Sequence, residues 1–162
     1  MLLNNCGDGN RKSPATDHFA PKRKESFICD FTEREFFFPA GVLGFANCRS
    51  YRLDRFCPAD GSDSPFFILR SVDQSPEFPL IHPSSLSLDY RFHASAEVLA
   101  ALEANSPGPL VPMLIVTVRD RLEEITVNLQ GPLVLNPSSS KGLQLVVEDY
   151  PLRHPLIGTA SP

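Results

Sequence analysis

The residue types that could carry chemistry in this chain are its histidines, cysteines, serines and adjacent carboxylates. The four histidines, His18, His82, His93 and His154, are scattered through the sequence. None has a carboxylate or a cysteine at the spacing by which a helix or strand would bring two metal ligands together. Asp89 and His93 are close in sequence, but in a strand their spacing separates them by roughly 13 Å. We therefore predict no metal site built on the histidines.

A serine hydrolase is a second possibility, because the members of a catalytic triad can come from distant positions in a chain. Ser71 or Ser87 could in principle act together with His82 or His93. Neither serine is flanked by the glycines of a nucleophile elbow. The motif evidence therefore disfavours this chemistry.

Two pairs of adjacent carboxylates, Glu123 with Glu124 and Glu148 with Asp149, offer another kind of site. If these residues lie in strands, neighbouring side chains point to opposite faces. Paired acid and base chemistry needs the two groups to face one another, so charges that discourage strand-to-strand aggregation are the better interpretation. The glycines fit no phosphate-binding loop. We predict no enzyme active site and no cofactor.

The four cysteines, Cys6, Cys29, Cys48 and Cys57, include no C-x-x-C pair, and no histidine stands at metal-ligand spacing from any of them. They could form two disulfides, but the start of the chain has no apolar run of the length that a secretion signal needs. We therefore expect reduced thiols and a cytoplasmic protein. No stretch approaches the roughly twenty apolar residues that span a bilayer, so no membrane association is expected.

Length and composition favour a single β domain. The 162 residues include 16 prolines and no tryptophan, and many short apolar runs predict strands joined by tight connections. We expect residues 27–154 to form the domain, with residues 1–26 as a disordered polar arm and residues 155–162 as a tail. We also expect a monomer.

The charge is divided unevenly along the chain. The formal net charge is −4, and residues 1–26 carry five basic and three acidic side chains, which leaves −6 for the remainder. Nucleic-acid binding draws its affinity mostly from clustered Lys and Arg. Direct RNA binding is therefore disfavoured, whereas a basic protein would be attracted to this acidic body.

The hydrophobic pattern predicts the individual elements. The clearest alternation of apolar and polar side chains is at residues 86–92, which predicts a strand. One helix is predicted at residues 96–104, because Ser95 can cap its start and a Pro-Gly-Pro run stops it. The other predicted strands are residues 33–38, 51–56, 66–71, 78–81, 111–118, a strand that ends at Leu129, and residues 133–135 and 143–147.

The most informative stretch is residues 125–136, where two apolar, β-branched runs are joined by Leu129-Gln130-Gly131-Pro132. This pattern predicts two strands with a bend between them, and Pro132 favours an edge, a bulge or a strand start. Asn128 and Asn136 each carry a donor and an acceptor. They either tie the loop backbone or contact a partner's backbone.

A second unusual stretch is the loop after residue 38, which contains Gly41 and Gly44. It is apolar at Val42, Leu43 and Phe45, unlike a solvated turn. Two interpretations are open. The loop is either a packed turn that lines the core or an edge that binds a partner, since exposed apolar loops mark contact sites.

Four motifs, in order along the chain, resemble the signature of the flagellar assembly factor FliW family. Four ordered matches are far more specific than any one of them alone. The motifs are Phe38-Pro39-Ala40-Gly41-Val42-Leu43-Gly44-Phe45, then Pro65-Phe66-Phe67-Ile68-Leu69-Arg70-Ser71, then Ile115-Val116-Thr117-Val118, and finally the run from Asn128 to Asn136 followed by Gly142-Leu143-Gln144-Leu145.

This resemblance implies a compact, mainly antiparallel β-barrel-like (split-barrel) domain with one short helix. It also implies two protein partners: flagellin, and the carbon storage regulator CsrA, a small RNA-binding translational repressor. The implied mechanism is partner switching, in which flagellin holds the factor until export frees it to relieve repression of flagellin translation. The partner-binding residues implied by the matching motifs are Gly41, Gly44, Phe45, Arg70, Ser71, Asn128, Gln130, Pro132 and Asn136.

Three positions depart from the family pattern. Ala46 stands where the family commonly has an acidic residue, Arg70 where it has Gln, and Gly131 where it has Ala. The change at Arg70 could alter partner choice. The alternative function from another class is a small-molecule or flavin-binding split barrel that acts as an oxidoreductase.

Overall fold

A computed structural model describes residues 30–73 and 75–158. The predicted disordered arm, residues 1–26, therefore lies outside the described residues. The elements in chain order are β1 (Arg34–Phe37), β2 (Ser50–Arg55), β3 (Phe66–Ser71), β4 (Glu77–Ile81), a 3-10 helix (Pro83–Leu86), α1 (Ala96–Ala101), β5 (Val111–Thr117), a second 3-10 helix (Leu122–Glu124), β6 (Thr126–Val127), β7 (Leu133–Asn136), β8 (Lys141–Gln144) and β9 (His154–Pro155).

Seven of the strands close into a barrel. Their order is β4-β3-β2-β1-β8-β7-β5, and β5 pairs back onto β4. Neighbouring strands are antiparallel except β1 and β8, which pair in parallel at Phe37 and Lys141. β6 and β9 continue the sheet beyond β5. The prediction of a mainly antiparallel β-barrel-like domain with one short α-helix is confirmed for the described part of the chain.

The barrel interior is filled by apolar side chains that alternate along the strands. In β2, Tyr51 and Leu53 are fully buried while Arg52 between them is exposed. Phe38 packs edge-to-face against Tyr51, with ring centroids 5.3 Å apart, and Gly142 has no side chain where the Phe38 ring crosses it. Because these side chains occupy the interior, a small molecule bound by this fold would have to lie outside the barrel.

The prediction of a strand at residues 86–92 is wrong. Leu86 ends the first 3-10 helix, and Ser87 takes a left-handed conformation with φ 53°. The alternation of apolar and polar side chains nevertheless reflects burial, because Leu86, Leu88 and Tyr90 pack against the outer face of the sheet beside Leu114. A segment that lies across a sheet can show the same period as a strand within it.

The predicted helix begins where expected but is shorter. The Ser95 side chain accepts a hydrogen bond from Val98 N at 3.3 Å, which caps the helix. The helix ends at Ala101 rather than residue 104, because Glu103 takes a positive φ of 52°. Its apolar side chains cover the outer face of β7 at Val134.

The end of the chain also differs from the sequence-based boundaries. β8 begins at Lys141, two residues before the predicted strand. The residues assigned to a tail begin within β9, where His154 pairs with Val127 of β6. Leu156 then packs into the apolar cluster on the outer face of the sheet. No helix within residues 30–73 and 75–158 has the length and apolarity needed to cross a bilayer.

The expectation of four reduced thiols is wrong at Cys57, which is disulfide-bonded in the structure. Cys48 is free, and its thiol donates a hydrogen bond to the backbone carbonyl of Ser75 at 3.7 Å. Sequence spacing alone does not show which sulfur atoms a fold brings together.

Candidate functional site

The bend predicted between residues 129 and 132 is a wide bulge in one interrupted strand. β6 pairs with β5 at Val127 and Val116, and β7 pairs with β5 at Leu133 and Met113. Between these two pairs β5 advances by three residues while its partner advances by six, so the bulge holds three extra residues. Pro132 directly precedes β7. Bulges of this kind re-aim side chains and are common next to functional sites.

Asn128 holds the bulge together from inside. Its side-chain oxygen accepts hydrogen bonds from the backbone N–H groups of Gln130 and Gly131, both at 2.9 Å. Its own backbone N–H donates to the carbonyl of Ile115 at 2.9 Å. The backbone-tying role, one of the two predicted for Asn128, is therefore present in the structure.

A tyrosine fixes the bulge from the outer side. The Tyr90 hydroxyl donates a hydrogen bond to the backbone carbonyl of Leu129 at 2.6 Å. Burial, with a smaller contribution from nearby Tyr150, raises the pKa of the Tyr90 phenol above its usual value. The phenol therefore stays protonated, and able to donate, at all physiological pH values.

Gln144 joins the bulge to the loop that contains Gly41 and Gly44. Its side-chain nitrogen donates to the carbonyl of Gly131 at 3.2 Å, and its side-chain oxygen accepts from the backbone N–H of Leu43 at 2.8 Å. One side chain thus connects two of the motifs. Gln144 is missing from the residues predicted for partner binding, although its place in the fourth motif was the signal that could have indicated it.

The glycine at position 131 leaves room for this arrangement. A Cβ atom there would lie 3.0 Å from the side-chain nitrogen of Gln144 and 3.1 Å from that of Asn128. Both amides would have to shift by a few tenths of an ångström. The departure at Gly131 is therefore a local packing adjustment.

The loop that contains Gly41 and Gly44, which we call the glycine loop, combines both interpretations that its sequence allows. Val42 is buried in the barrel core, whereas Leu43 is 83% exposed. Phe45 is 42% exposed and packs edge-to-face on Phe78, with ring centroids 5.5 Å apart. Gly41 has a φ of +68°, and a Cβ atom there would lie 2.6 Å from the carbonyl oxygen of Phe45. The turn is packed, and its tip presents an apolar side chain.

Arg70 and Ser71 lie at the same end of the barrel as the glycine loop but have different roles. The Arg70 guanidinium is partly exposed and forms ion pairs with Glu77 at 3.1 Å and with Asp54 at 3.8 Å. Ser71 is buried, and its hydroxyl accepts a hydrogen bond from the backbone N–H of Asp73 at 3.3 Å. Arg70 can contact another molecule, whereas Ser71 stabilises the turn between β3 and β4.

Asn136 does not belong to this surface. It is 2% exposed, and it lies where β7 meets the end of α1. Its side-chain nitrogen donates to the carbonyl of Leu102 at 2.7 Å, and its oxygen accepts from Ser138 N at 3.1 Å. A buried amide with both atoms bonded is not available to a partner, so Asn136 has a structural role.

Three of the predicted partner-binding residues, Gly41, Asn128 and Gln130, line a shallow cleft of about 230 Å³. We call it the loop–bulge cleft. The predicted residues that do not line it are Gly44, Phe45, Arg70, Ser71, Pro132 and Asn136. Leu43, Val146 and Leu152 contribute exposed apolar side chains to it. The polar groups of its floor come from Asn128, Gln130 and Gln144. Apolar side chains around a few fixed polar groups are typical of protein contact surfaces.

The pairing of Ser71 with His82 is not supported by the placement of the two residues. Ser71 lies at the start of the β3–β4 turn, whereas His82 follows the far end of β4 and has its Nδ1 2.7 Å from the hydroxyl of Ser84. Glu123 and Glu124 lie in the second 3-10 helix. Among the described residues no group of three or more His, Cys, Asp or Glu side chains could hold a metal ion.

Comparisons with known proteins agree on one family. A family model described as FliW protein matches residues 24–156. The flagellar assembly factor FliW of Natranaerobius thermophilus is 36% identical over 124 residues, which cover 74% of this chain and 79% of the relative. The factor of the same name from Ruminiclostridium cellulolyticum is 32% identical over 143 residues, covering 86% and 90%. A crystal structure of the flagellar assembly factor FliW superimposes with a TM-score of 0.68 at 27% identity, over 78% of this chain and 88% of that chain.

Proposed function

This chain belongs to the FliW family of flagellar assembly factors, and from that premise we propose that it acts by binding two proteins in turn, a CsrA-type translational regulator and flagellin. In this proposal it carries out no catalysis and needs no cofactor. Flagellin occupies the factor while flagellin accumulates in the cytoplasm. Once flagellin is exported, the freed factor binds the regulator and relieves its repression of flagellin translation.

The loop–bulge cleft is the observation that supports this proposal most directly. Leu43 at 83% and Val146 at 72% are among the most exposed large apolar side chains of the described residues, and both line the cleft. Gln144 fixes the backbone of the loop relative to the bulge through its two hydrogen bonds. A surface that is apolar and already ordered loses little conformational entropy when a partner binds.

The charge of the protein supports a basic partner. Outside residues 1–26 the formal net charge is −6. A regulator that binds RNA must present basic residues to the phosphate backbone, so the two proteins would attract each other at long range. Electrostatic steering accelerates association and weakens as salt screens the charges. We therefore expect the affinity for the regulator to fall as ionic strength rises.

Partner switching also requires that the two partners compete or are coupled. If binding of flagellin lowers the affinity for the regulator, the regulator must lower the affinity for flagellin by the same factor. Arg70 stands where the family pattern has the neutral amide of Gln, and its guanidinium pairs with the carboxylates of Glu77 and Asp54. We propose that this guanidinium adjusts partner preference, because it departs from the family pattern and is exposed next to the β3–β4 turn.

The experiment that tests the proposal is a binding measurement with both purified partners. Leu43→Asp places a charge at the apolar tip of the glycine loop and should weaken binding of at least one partner by about tenfold or more. Leu122→Asp is the matched control, because Leu122 is 65% exposed and does not line the cleft. Equal affinity of Leu43→Asp and wild type for both partners would contradict the proposed surface.

A further inference from the structure

The strand β8 continues beyond its last assigned residue. Leu145 N donates to the carbonyl of Pro132 at 2.9 Å, and Val147 N donates to the carbonyl of Gln130 at 2.7 Å. These bonds extend the register of β7 and β8, in which Leu133 is opposite Gln144. Residues 141–147 therefore run beside β7 and then beside the bulge.

The opposite edge of this extension is open. In an antiparallel pair the backbone groups of successive residues point alternately to the two sides. Since Leu145 and Val147 bond toward the bulge, the backbone N–H and C=O groups of Gln144 and Val146 point away from it. Within residues 30–73 and 75–158 neither N–H is engaged in a backbone hydrogen bond outside the regular strand pairing.

The neighbouring strand on that side ends too early to cover this edge. β1 pairs with β8 only at Phe37 and Lys141, where Phe37 N donates to the carbonyl of Ser140 at 2.8 Å. The chain turns directly after β1, where Gly41 N donates to the carbonyl of Phe38 at 2.9 Å. Gln144 and Val146 therefore lie beyond the end of β1, next to the glycine loop.

The surroundings of the open edge have a definite chemistry. The loop–bulge cleft runs along it, with exposed Leu43 and Leu152 on its walls and exposed Val146 on the edge itself. The exposed carboxylates of Glu148 and Asp149 follow at the end of the edge. A chain lying here would meet unpaired backbone groups, apolar side chains and then two negative charges.

We propose that this open edge accepts an extended segment of a partner protein as an additional strand. The segment pairs its backbone with Gln144 and Val146, places apolar side chains against Leu43, and directs a Lys or Arg toward Glu148 and Asp149. Main-chain pairing supplies the affinity in this mode, and the alternate side chains supply the specificity. This inference rests on the proposed function, because it specifies how a protein partner docks.

A basic partner fits this edge better than a second copy of the chain. Edge-to-edge pairing of two copies would bring together two bodies whose net charge beyond residues 1–26 is −6 each. Exposed carboxylates next to a strand edge discourage such self-pairing. The same carboxylates attract a segment that carries positive charge.

The test uses the full chain and follows amide hydrogen exchange at Gln144 and Val146. Three probes are added separately: a CsrA-type regulator, flagellin, and a synthetic peptide that alternates Val and Thr with Arg at both ends. We expect at least one probe to slow exchange at both amides by about tenfold or more. Val146→Pro removes the N–H that faces the edge, while the bonds made by Leu145 and Val147 remain. It should weaken binding by about tenfold. Val146→Ala shortens the same side chain but keeps the N–H, so the Pro variant should bind at least about threefold more weakly than the Ala variant if the backbone pairs with the partner.

Each alternative result overturns the inference in a recognisable way. Protection of both amides in the dilute free protein would show that the chain's own segment covers the edge. Protection that grows with concentration without a probe would identify a second copy as the occupant. If the regulator or flagellin binds but no probe protects these amides, the edge proposal fails while the proposed function stands. If the peptide protects them and neither the regulator nor flagellin binds at all, the edge proposal stands and the proposed function fails.

Discussion

Replacement of Asn128 by Ala should destabilise the protein by releasing the bulge. In the structure one side-chain oxygen accepts two backbone hydrogen bonds, from Gln130 N and Gly131 N, both at 2.9 Å. Alanine leaves both donors without that acceptor. Each net hydrogen bond contributes roughly 1 kcal/mol, and a buried donor left unpaired costs about as much or more. Because Asn128 is only partly buried, water can reach some of the released groups, and we expect a total loss of about 2 kcal/mol.

Thermal or urea unfolding followed by far-UV circular dichroism measures this loss, since the chain has no tryptophan to report by fluorescence. For a domain of this size a loss of about 2 kcal/mol lowers Tm by roughly 4–8 °C. Asn128→Asp is the matched control, because a carboxylate oxygen still accepts both hydrogen bonds. The Asp variant should retain most of the stability that the Ala variant loses.

Two results would refute this reasoning. An Asn128→Ala protein with an unchanged unfolding midpoint would show that the side-chain hydrogen bonds contribute nothing to stability. An Asn128→Asp protein as unstable as the Ala variant would show that acceptance of the two N–H groups is not the relevant interaction. If the Ala variant kept its stability but lost binding, Asn128 would instead contact a partner directly.

Other substitutions test the barrel core and its tyrosines. Gly142→Ala would push a methyl group into the Phe38 ring and should cost about 1–3 kcal/mol in the free energy of unfolding. Gly108→Ala, whose Cβ would lie in ordinary contact 3.9 Å from the Ser106 hydroxyl oxygen, should be neutral or stabilising by up to about 1 kcal/mol. Tyr90→Phe removes the hydroxyl that bonds to the bulge and should lower the free energy of unfolding by about 1–2 kcal/mol. Tyr51→Phe removes a buried hydroxyl with no hydrogen-bond partner among the described residues and should leave the stability unchanged or raise it. Burial, with a smaller contribution from Cys48, raises the pKa of Tyr51 from 10.0 to about 12; the unfolded chain therefore ionises first, and wild type should lose stability relative to Tyr51→Phe as pH rises from about 10 to 12. Urea midpoints of all four variants check these expectations, and an alkaline loss equal in wild type and Tyr51→Phe would contradict the last one.

The parts of the fold that the sequence could predict are those decided by neighbouring residues. The alternation of Tyr51 and Leu53 with charged residues correctly indicated β2. Ser95 correctly marked the start of α1. In both cases the burial or the capping group that decides the structure lies within a few residues of the pattern.

The parts that could not be predicted depend on contacts between distant segments. Residues 86–92 alternate because they cover the sheet, and nothing in their own sequence separates this arrangement from pairing within the sheet. The sequence left two roles open for Asn136, a tie to the loop backbone or a partner contact, and only the fold shows that the end of α1 lies over its side chain. Gln144 became recognisable as a site residue only when the fold brought Leu43 and Gly131 to its two sides.

The most direct test of the whole account is a calorimetric titration of the full chain with a purified CsrA-type regulator at two salt concentrations. We predict specific binding that weakens at least several-fold between about 50 and 300 mM NaCl. We also predict that Leu43→Asp weakens binding at both concentrations while Leu122→Asp does not. Absence of binding at low salt, or binding that neither salt nor Leu43→Asp affects, would contradict the claim that this acidic barrel works by presenting the loop–bulge cleft to a basic protein.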